Sequence, residues 1–251
     1  MDRTDRFAAL ERRAWTDLAA DSGTAALTIA HVGGGTLLVC PAGTPHVNLA
    51  MGARAAVEAV RAITAHYRAA GVPRFLVELG DARVAAAAEL VKYRRGMVRL
   101  ARERGAVLGA APTDLAIAAP RDHEIVPAAR ILCAHLGAPP ALADAYPQLV
   151  RSPHWHLRIA REGDTVVAAA LLYARDGAGY LMGAATLPSH RGRGAQGALI
   201  RARLALADEL GAGVVVSNTG EAVPGEPQHS EHNMRRQGLV EVARYDVYTP
   251  A

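Results

Sequence analysis

Apolar positions along the 251-residue chain fall at helical spacing, then at strand spacing, and the alternation runs through twice. Residues 3–20 place Phe7, Leu10, Trp15 and Leu18 on one face of an opening helix. Two short apolar runs, 26–31 and 36–40, flank Val32-Gly33-Gly34-Gly35, which signals a hairpin. An alanine-rich helix over 53–70 ends at Gly71; strand 74–79, helix 82–94 and strand 97–101 follow.

After Gly109-Ala110-Ala111-Pro112 the pattern begins again. Strand 114–118 precedes a helix over 124–135, with Pro127 in its first turn. Gly137 and Pro139-Pro140 stop that helix, because proline cannot continue helical hydrogen bonding. A short helix covers 141–149. Strands 156–160, 165–173 and 179–187 are joined by Glu162-Gly163-Asp164 and Asp176-Gly177-Ala178, turns short enough to make an antiparallel meander. Helix 194–210 ends at Gly211, and strand 214–217, a helix near 230–237 and a strand pair, 239–243 and 245–248, complete the pattern. Block 48–79 overlays block 185–217, and Arg94-Arg95-Gly96-Met97 echoes 235–239. The expectation is a structural duplication; the alternative is that alanine-rich segments resemble one another by composition.

Composition narrows the class. With 51% hydrophobic and 21% charged residues, the chain is globular rather than disordered. No run approaches the ~18–20 apolar residues of a membrane span. The opening Met-Asp-Arg-Thr-Asp-Arg lacks a secretory apolar run, and Cys40 and Cys133 are too few for a disulfide framework. The expected setting is cytoplasmic. Lys92 is the sole lysine among 28 basic residues, and these are scattered among 24 acidic ones. That is the signature of codon bias, not of a clustered nucleic-acid face.

One segment carries chemistry: Thr186-Leu187-Pro188-Ser189-His190-Arg191-Gly192-Arg193-Gly194-Ala195-Gln196-Gly197. A strand ends there and a long helix starts at once. Glycines 192, 194 and 197 allow close approach to a ligand. Free amides at the helix start, with the helix dipole, favour an anion, and Arg191 and Arg193 suit phosphate. No Lys-Ser/Thr follows, so this is no Walker loop. The preceding strand closes a meander, which argues against a dinucleotide fold. A flexible basic turn is the alternative.

Arg191-Gly192-Arg193-Gly194-Ala195-Gln196 resembles the GNAT N-acetyltransferase signature, Arg/Gln-x-x-Gly-x-Gly/Ala, matching at Arg191 and Gly194, with Gln196 at the final position. A Ser-x-x-Asn-x-x-Arg-x-Gly corner at 230–238 adds to the likeness, which covers about residues 113–251. The resemblance implies an α/β (α+β) fold of two tandem GNAT-like halves, each a mixed, mostly antiparallel twisted sheet flanked by helices. Residues 1–110 would be a degenerate half, with Gly52-Ala53-Arg54-Ala55 where the cradle should stand, and residues 111–251 the acyl-CoA-binding catalytic half.

The resemblance further implies acetyl-CoA as acyl donor and a small-molecule amine as acceptor, with no metal, nucleic acid or membrane partner. Pyrophosphate would sit on Arg191, Gly192, Arg193, Gly194, Ala195, Gln196 and Gly197, and pantetheine would pair with Ala185, Thr186 and Leu187. The Leu187 amide is the expected oxyanion donor. Asn218 and Asn233 are expected cofactor contacts, Glu221 the candidate base and Tyr248 the candidate acid, each with a bland alternative as a solvated or core side chain. Met234 stands where the family often has its acidic tyrosine; Tyr245, His229 and Ser230 are substitutes on paper. His154-x-His156 and His229-x-x-His232 have metal-compatible spacing but no third ligand. Tyr146 and Trp155 line an acceptor wall or pack as core. The first half completes the acceptor site, forms a homodimer surface or only packs. An acyl-CoA sensor or scaffold is the non-enzymatic alternative; a nucleic-acid binder, with steeply salt-dependent affinity, is the third reading.

Overall fold

The computed structural model describes residues 3–226 and 228–251. Its elements run α1 (Arg3–Ser22), β1 (Thr28–Val32), β2 (Gly35–Val39), β3 (Leu49–Met51), α2 (Val57–Ala69), β4 (Leu76–Glu78), α3 (Ala82–Ala87), β5 (Leu90–Lys92) and β6 (Met97–Glu103). Then come β7 (Ala116–Ala118), α4 (Asp122–Leu136), α5 (Pro140–Ala143), α6 (Tyr146–Leu149), β8 (Trp155–Glu162), β9 (Thr165–Arg175) and β10 (Ala178–Thr186). The chain continues with α7 (Ala195–Glu209), β11 (Val214–Gly220), α8 (His229–Arg236), β12 (Val240–Tyr245) and β13 (Val247–Pro250). The fold is mixed α/β: two mixed sheets flanked by helices, as expected from the sequence.

Each half is built on a β-α-β unit whose helix follows a buried stripe. In α2 the buried residues are Ala59, Val60, Ile63, Thr64 and Tyr67. In α7 they include Ala195, Leu199, Arg203, Leu204 and Ala207. This three-to-four spacing lays one side of the helix on the sheet. The strands that each helix joins, β3 with β4 and β10 with β11, pair in parallel. The meander β8–β9–β10 is antiparallel as expected.

The sheets exchange strands. The first has the order β1-β2-β3-β4-β13-β5, and the second β12-β6-β11-β10-β9-β8-β7. Thus β6, from the first half, fills the slot between β11 and β12, while β13, from the second, fills the equivalent slot between β4 and β5. The terminal strands expected to pair with each other therefore part at Asp246 and enter different sheets.

Three other expectations are corrected. The helix read over 82–94 ends at Ala87, where Glu89 takes a left-handed turn (φ 61). Residues 90–92 then form β5 beside β13, so strand pairing outweighs the local alanine preference. The strand β3 is too short to leave a periodic signal. Helix 141–149 is two single turns, α5 and α6, and α4 starts two residues early, which moves Pro127 beyond the first turn.

One hydrophobic core spans both halves. Phe7, Leu18 and Leu38 share it with Leu132, Trp155, Tyr173 and Met182. Helix α1 is tied to the second sheet: Tyr173 and Arg175 donate to Asp17, and Trp155 Nε1 donates to Asp21 at 2.9 Å. Cys40 and Cys133 are free buried thiols, both pushed up by burial.

The β2–β3 connection is held by Asn48, which is fully buried. Its carboxamide accepts from Cys40 N at 2.7 Å and donates to Cys40 O at 2.9 Å and Thr44 O at 3.1 Å. Asn48→Ala strands these backbone groups and is expected to cost about 1–3 kcal/mol, read from the urea midpoint. Asn48→Asp, which keeps the acceptor but loses both donors, should also be destabilised.

Candidate functional site

Strands β10 and β11 are paired only from Ala178↔Val214 to Leu181↔Ser217. Beyond that point β10 follows β9 to Thr186, β11 follows β6 to Gly220, and the two part. A bulge lies at the parting, between Met182 and Ala184, where Gly183 has φ 46. Leu187 N donates to Val167 O at 2.9 Å. By the alternation of an antiparallel ladder, Ala185 also faces β9, whereas the peptide groups of Ala184 and Thr186 face the open side. The Leu187 amide expected to stabilise an oxyanion is thus already spent.

A short 3-10 turn, Pro188–His190, leads from this edge into the glycine loop. Gly192 and Gly194 both have φ 79. Gly194 is the N-cap of α7 and supplies no side-chain cap, so the first-turn amides are left for a ligand. A Cβ on Gly194 would lie 2.1 Å from Pro112 O, which explains the need for glycine there. Thr113 Oγ1 donates to Arg193 O at 2.7 Å and fastens the loop from outside.

The two arginines do different work. Arg193 is spent as a strut: it bonds Asp114 and holds that carboxyl below its ordinary range, and it lies 2.7 Å from Glu162, whose carboxyl is held low first by His190 and then by Arg193. His190 bonds the same Glu162 at 2.9 Å. Arg191 is exposed and has no ion pair among the described residues. Gln196 does not enter the anion site with its side chain. Its Nε2 donates to Ser230 Oγ at 2.7 Å and its Oε1 accepts from Asn233 Nδ2 at 2.8 Å, so the pair staples α7 to α8.

These elements enclose a cavity of about 830 Å³. Its walls are the glycine loop, the Ala184–Thr186 edge, residues 110–112 and α8. Arg191, Arg193 and Arg236 line it, and among the described residues no carboxylate does. His135, missed in the sequence, is on the wall too; burial and then the Arg191 charge lower its pKa, so it is neutral at pH 7. Its position late in α4 gave no motif to find it by. Together these features suit a polyanion at the loop and an extended chain along the open edge.

The other expected site residues lie elsewhere. Glu221 accepts from Gly96 N at 2.8 Å and from Arg244 at 3.0 Å, and these partners hold its carboxyl below the usual range, a poor base. Tyr248 is buried in the core of the first sheet through β13. Asn218 donates to Tyr245 OH at 3.1 Å, on the β6 side of β11. Tyr245 itself packs over Arg99, 4.7 Å from guanidinium to ring centre. Tyr146 and Trp155 are core residues. In the first half the turn before α2 is packed against its own hairpin. There Arg54 N donates to Gly33 O at 3.1 Å, and the Gly33–Gly35 hairpin approaches the start of α2 so closely that a Cβ on Gly33 would meet Ala59 O at 2.5 Å.

Residues 130–223 match the model of the acetyltransferase (GNAT) family. The chain matches no curated protein sequence. Among solved structures it is similar to a GCN5-related N-acetyltransferase from Kribbella flavida, at 18% identity over 95% of each chain with TM-score 0.61. It is also similar to a GCN5-related N-acetyltransferase from Sphaerobacter thermophilus, at 13% identity, covering 99% of this chain and 93% of that one with TM-score 0.62. A third likeness is to a tandem GNAT protein from the clavulanic acid biosynthesis pathway, at 13% identity, 98% and 95% coverage and TM-score 0.57. At such identities the structures share the fold. The second half therefore contains a GNAT acetyltransferase domain, at residues 130–223, within a two-sheet architecture also found in a tandem GNAT protein.

Proposed function

We propose that this chain, with its GNAT acetyltransferase domain, transfers an acetyl group from acetyl-CoA to an amine of a small molecule. The observation that carries this reading is the carboxylate-free cavity of about 830 Å³, floored by an uncapped helix start and bordered by an open strand edge. In this reading the pyrophosphate sits on the amides of 192–197, with the exposed Arg191 as counter-charge. Pantetheine lies along β10, paired with the peptide groups of Thr186, which leaves the Ala184 N–H for the thioester end of the chain.

The acceptor nitrogen attacks the thioester carbonyl. As the C–N bond forms, the carbonyl pair moves to oxygen; on its return the C–S bond breaks and the sulfur leaves with its electrons. The amine's surplus proton passes to water. A thiol of pKa ~8.5 leaves as thiolate near neutrality without a dedicated acid. The absence of Tyr248 and Glu221 from the cavity is therefore compatible with turnover. The first half, with its cradle filled by its own hairpin, acts as a repeat that holds no donor and supports α1 against the catalytic sheet.

The same absence favours a second reading, an acyl-CoA-binding sensor. Calorimetric titration with acetyl-CoA, followed by a thiol-release screen over small amines, separates them. Binding with amine-dependent release supports the enzyme. Binding with none across amines of differing charge and size supports the sensor. No binding overturns both.

A further inference from the structure

Arg203 is one of the largest fully buried side chains, with 1% exposure. It lies on α7, directly under the parting of β10 and β11, and among the described residues no carboxylate pairs with it. Its Nε donates to Leu199 O at 3.1 Å. One terminal nitrogen donates to Leu171 O at 2.9 Å, Gly183 O at 3.4 Å and Met182 O at 3.5 Å. Burial lowers its pKa to about 9, which still leaves a cation at neutral pH.

A buried charge without a counter-charge is costly, and an apolar side chain of similar volume would fill this space more cheaply. The charge therefore has to be explained by what it touches. It touches the β10 bulge. The peptide that joins Gly183 to Ala184 has its C=O on the guanidinium, while its N–H points the opposite way. The ladder alternation fixed by Leu187 leaves that N–H outside the β9 pairing, on the open edge beside the cavity. A cation at one end of a peptide strengthens the donor at the other, since hydrogen bonds in series polarise each other by about 10–30%. Carbonyls anchored to one rigid side chain also fix the direction of that donor.

We infer that Arg203 is a positioning residue for acyl transfer: by gripping the bulge carbonyls it aims and polarises the Ala184 N–H toward the thioester oxygen. This rests on the acetyl-CoA reading above. Arg203 touches no substrate; it acts through the Gly183–Ala184 peptide. The polarised N–H receives the negative charge that grows on oxygen as the C–N bond forms, and gives it up when the C–S bond breaks.

The test uses the full chain, wild type and Arg203→Gln, with acetyl-CoA labelled with carbon-13 at the carbonyl. Glutamine keeps a donor near the bulge carbonyls but carries no charge. Arg203→Lys keeps the charge without the fork. Calorimetry gives the dissociation constant, and isotope-edited infrared spectroscopy gives the carbonyl stretch of the bound thioester. The expected result is a stretch at lower wavenumber in bound wild type than in solution, with much of that shift lost in Arg203→Gln and partly restored in Arg203→Lys. The dissociation constant should stay within about threefold, while the rate of amine-dependent thiol release falls at least about tenfold at unchanged KM. If Arg203→Gln does not fold, Arg203→Lys carries the test through an intermediate stretch. An identical stretch in wild type and a folded variant that both bind acetyl-CoA overturns the inference and leaves the function standing. Failure of wild type to bind overturns the function and, with it, this role.

Discussion

Gly197→Glu is expected to weaken acetyl-CoA binding by at least about a hundredfold while leaving the unfolding temperature unchanged or raised. Gly197 lies in the first turn of α7 and lines the cavity, and a Cβ there would meet only Ala111 Cβ, at 3.9 Å. A residue other than glycine gains up to about 1 kcal/mol in a helix, and a carboxylate near the N-terminus suits the helix dipole. The same carboxylate would occupy the anion site. Two unit negative charges about 4 Å apart repel by roughly 4 kcal/mol at an effective dielectric of 20, enough for the stated loss. Calorimetry and a thermal melt on one preparation check both halves of the prediction. Binding retained at full strength would remove the phosphate from this loop. Gly194 is the wrong place to ask, because its clash with Pro112 O would confuse lost binding with lost structure.

Arg99→Met is expected to cost about 3–5 kcal/mol of stability at pH 8, and markedly less at pH 5.5. Arg99 is buried between the halves, 2.7 Å from Glu11 and 3.8 Å from Glu78. Burial first, and Glu11 second, raise Glu78 to about 7. A carboxyl raised above its unfolded value of ~4.5 binds more protons in the native state, so stability is greatest at acid pH and falls as pH rises from about 4.5 through 7. Without the cation, folding at pH 8 must either bury an unpaired charge or take up a proton. At pH 5.5 Glu78 is already protonated, and the loss shrinks. Glu78→Gln, which mimics that protonated form, should flatten the pH dependence. Urea midpoints at the two pH values test the pair of variants, and an equal cost for Arg99→Met at both would show that Glu78 is not its partner.

What could be seen in the sequence was what is local. The glycine run at 192–197 could be placed on a strand-to-helix turn, because the helix stripe and the strand before it are both periodic. The meander could be placed by its short turns. What could not be seen was register across the molecule. Glu221 and Tyr248 follow the loop in chain order, as a base and an acid would. Yet Glu221 accepts from Gly96, just before β6, and Tyr248 belongs to the other sheet. Nothing in the letters of 97–103 says that these residues pair with β11 and β12, or in 247–250 that they lie between β4 and β5. Arg203 was invisible for a different reason: an arginine on an alanine-rich helix reads as a solvated charge until the sheet is laid over it.

The exchange of β6 and β13 also dictates the order in which the molecule can be completed. On the ribosome, the first sheet keeps a gap between β4 and β5 until residues 247–250 have been made, because β4 is paired on its β3 edge alone before Tyr248 arrives opposite Val77. The strand β6 waits in turn for β11 and β12. Such long-range closure is slow and leaves unpaired edges exposed meanwhile. Two fragments cut in the 104–115 connection would each carry the other's missing strand. Made separately they would offer open slots prone to aggregation; made together they could assemble as a two-chain protein. Each sheet is closed by a strand made in the other half of the chain, as each protomer is in a strand-swapped dimer.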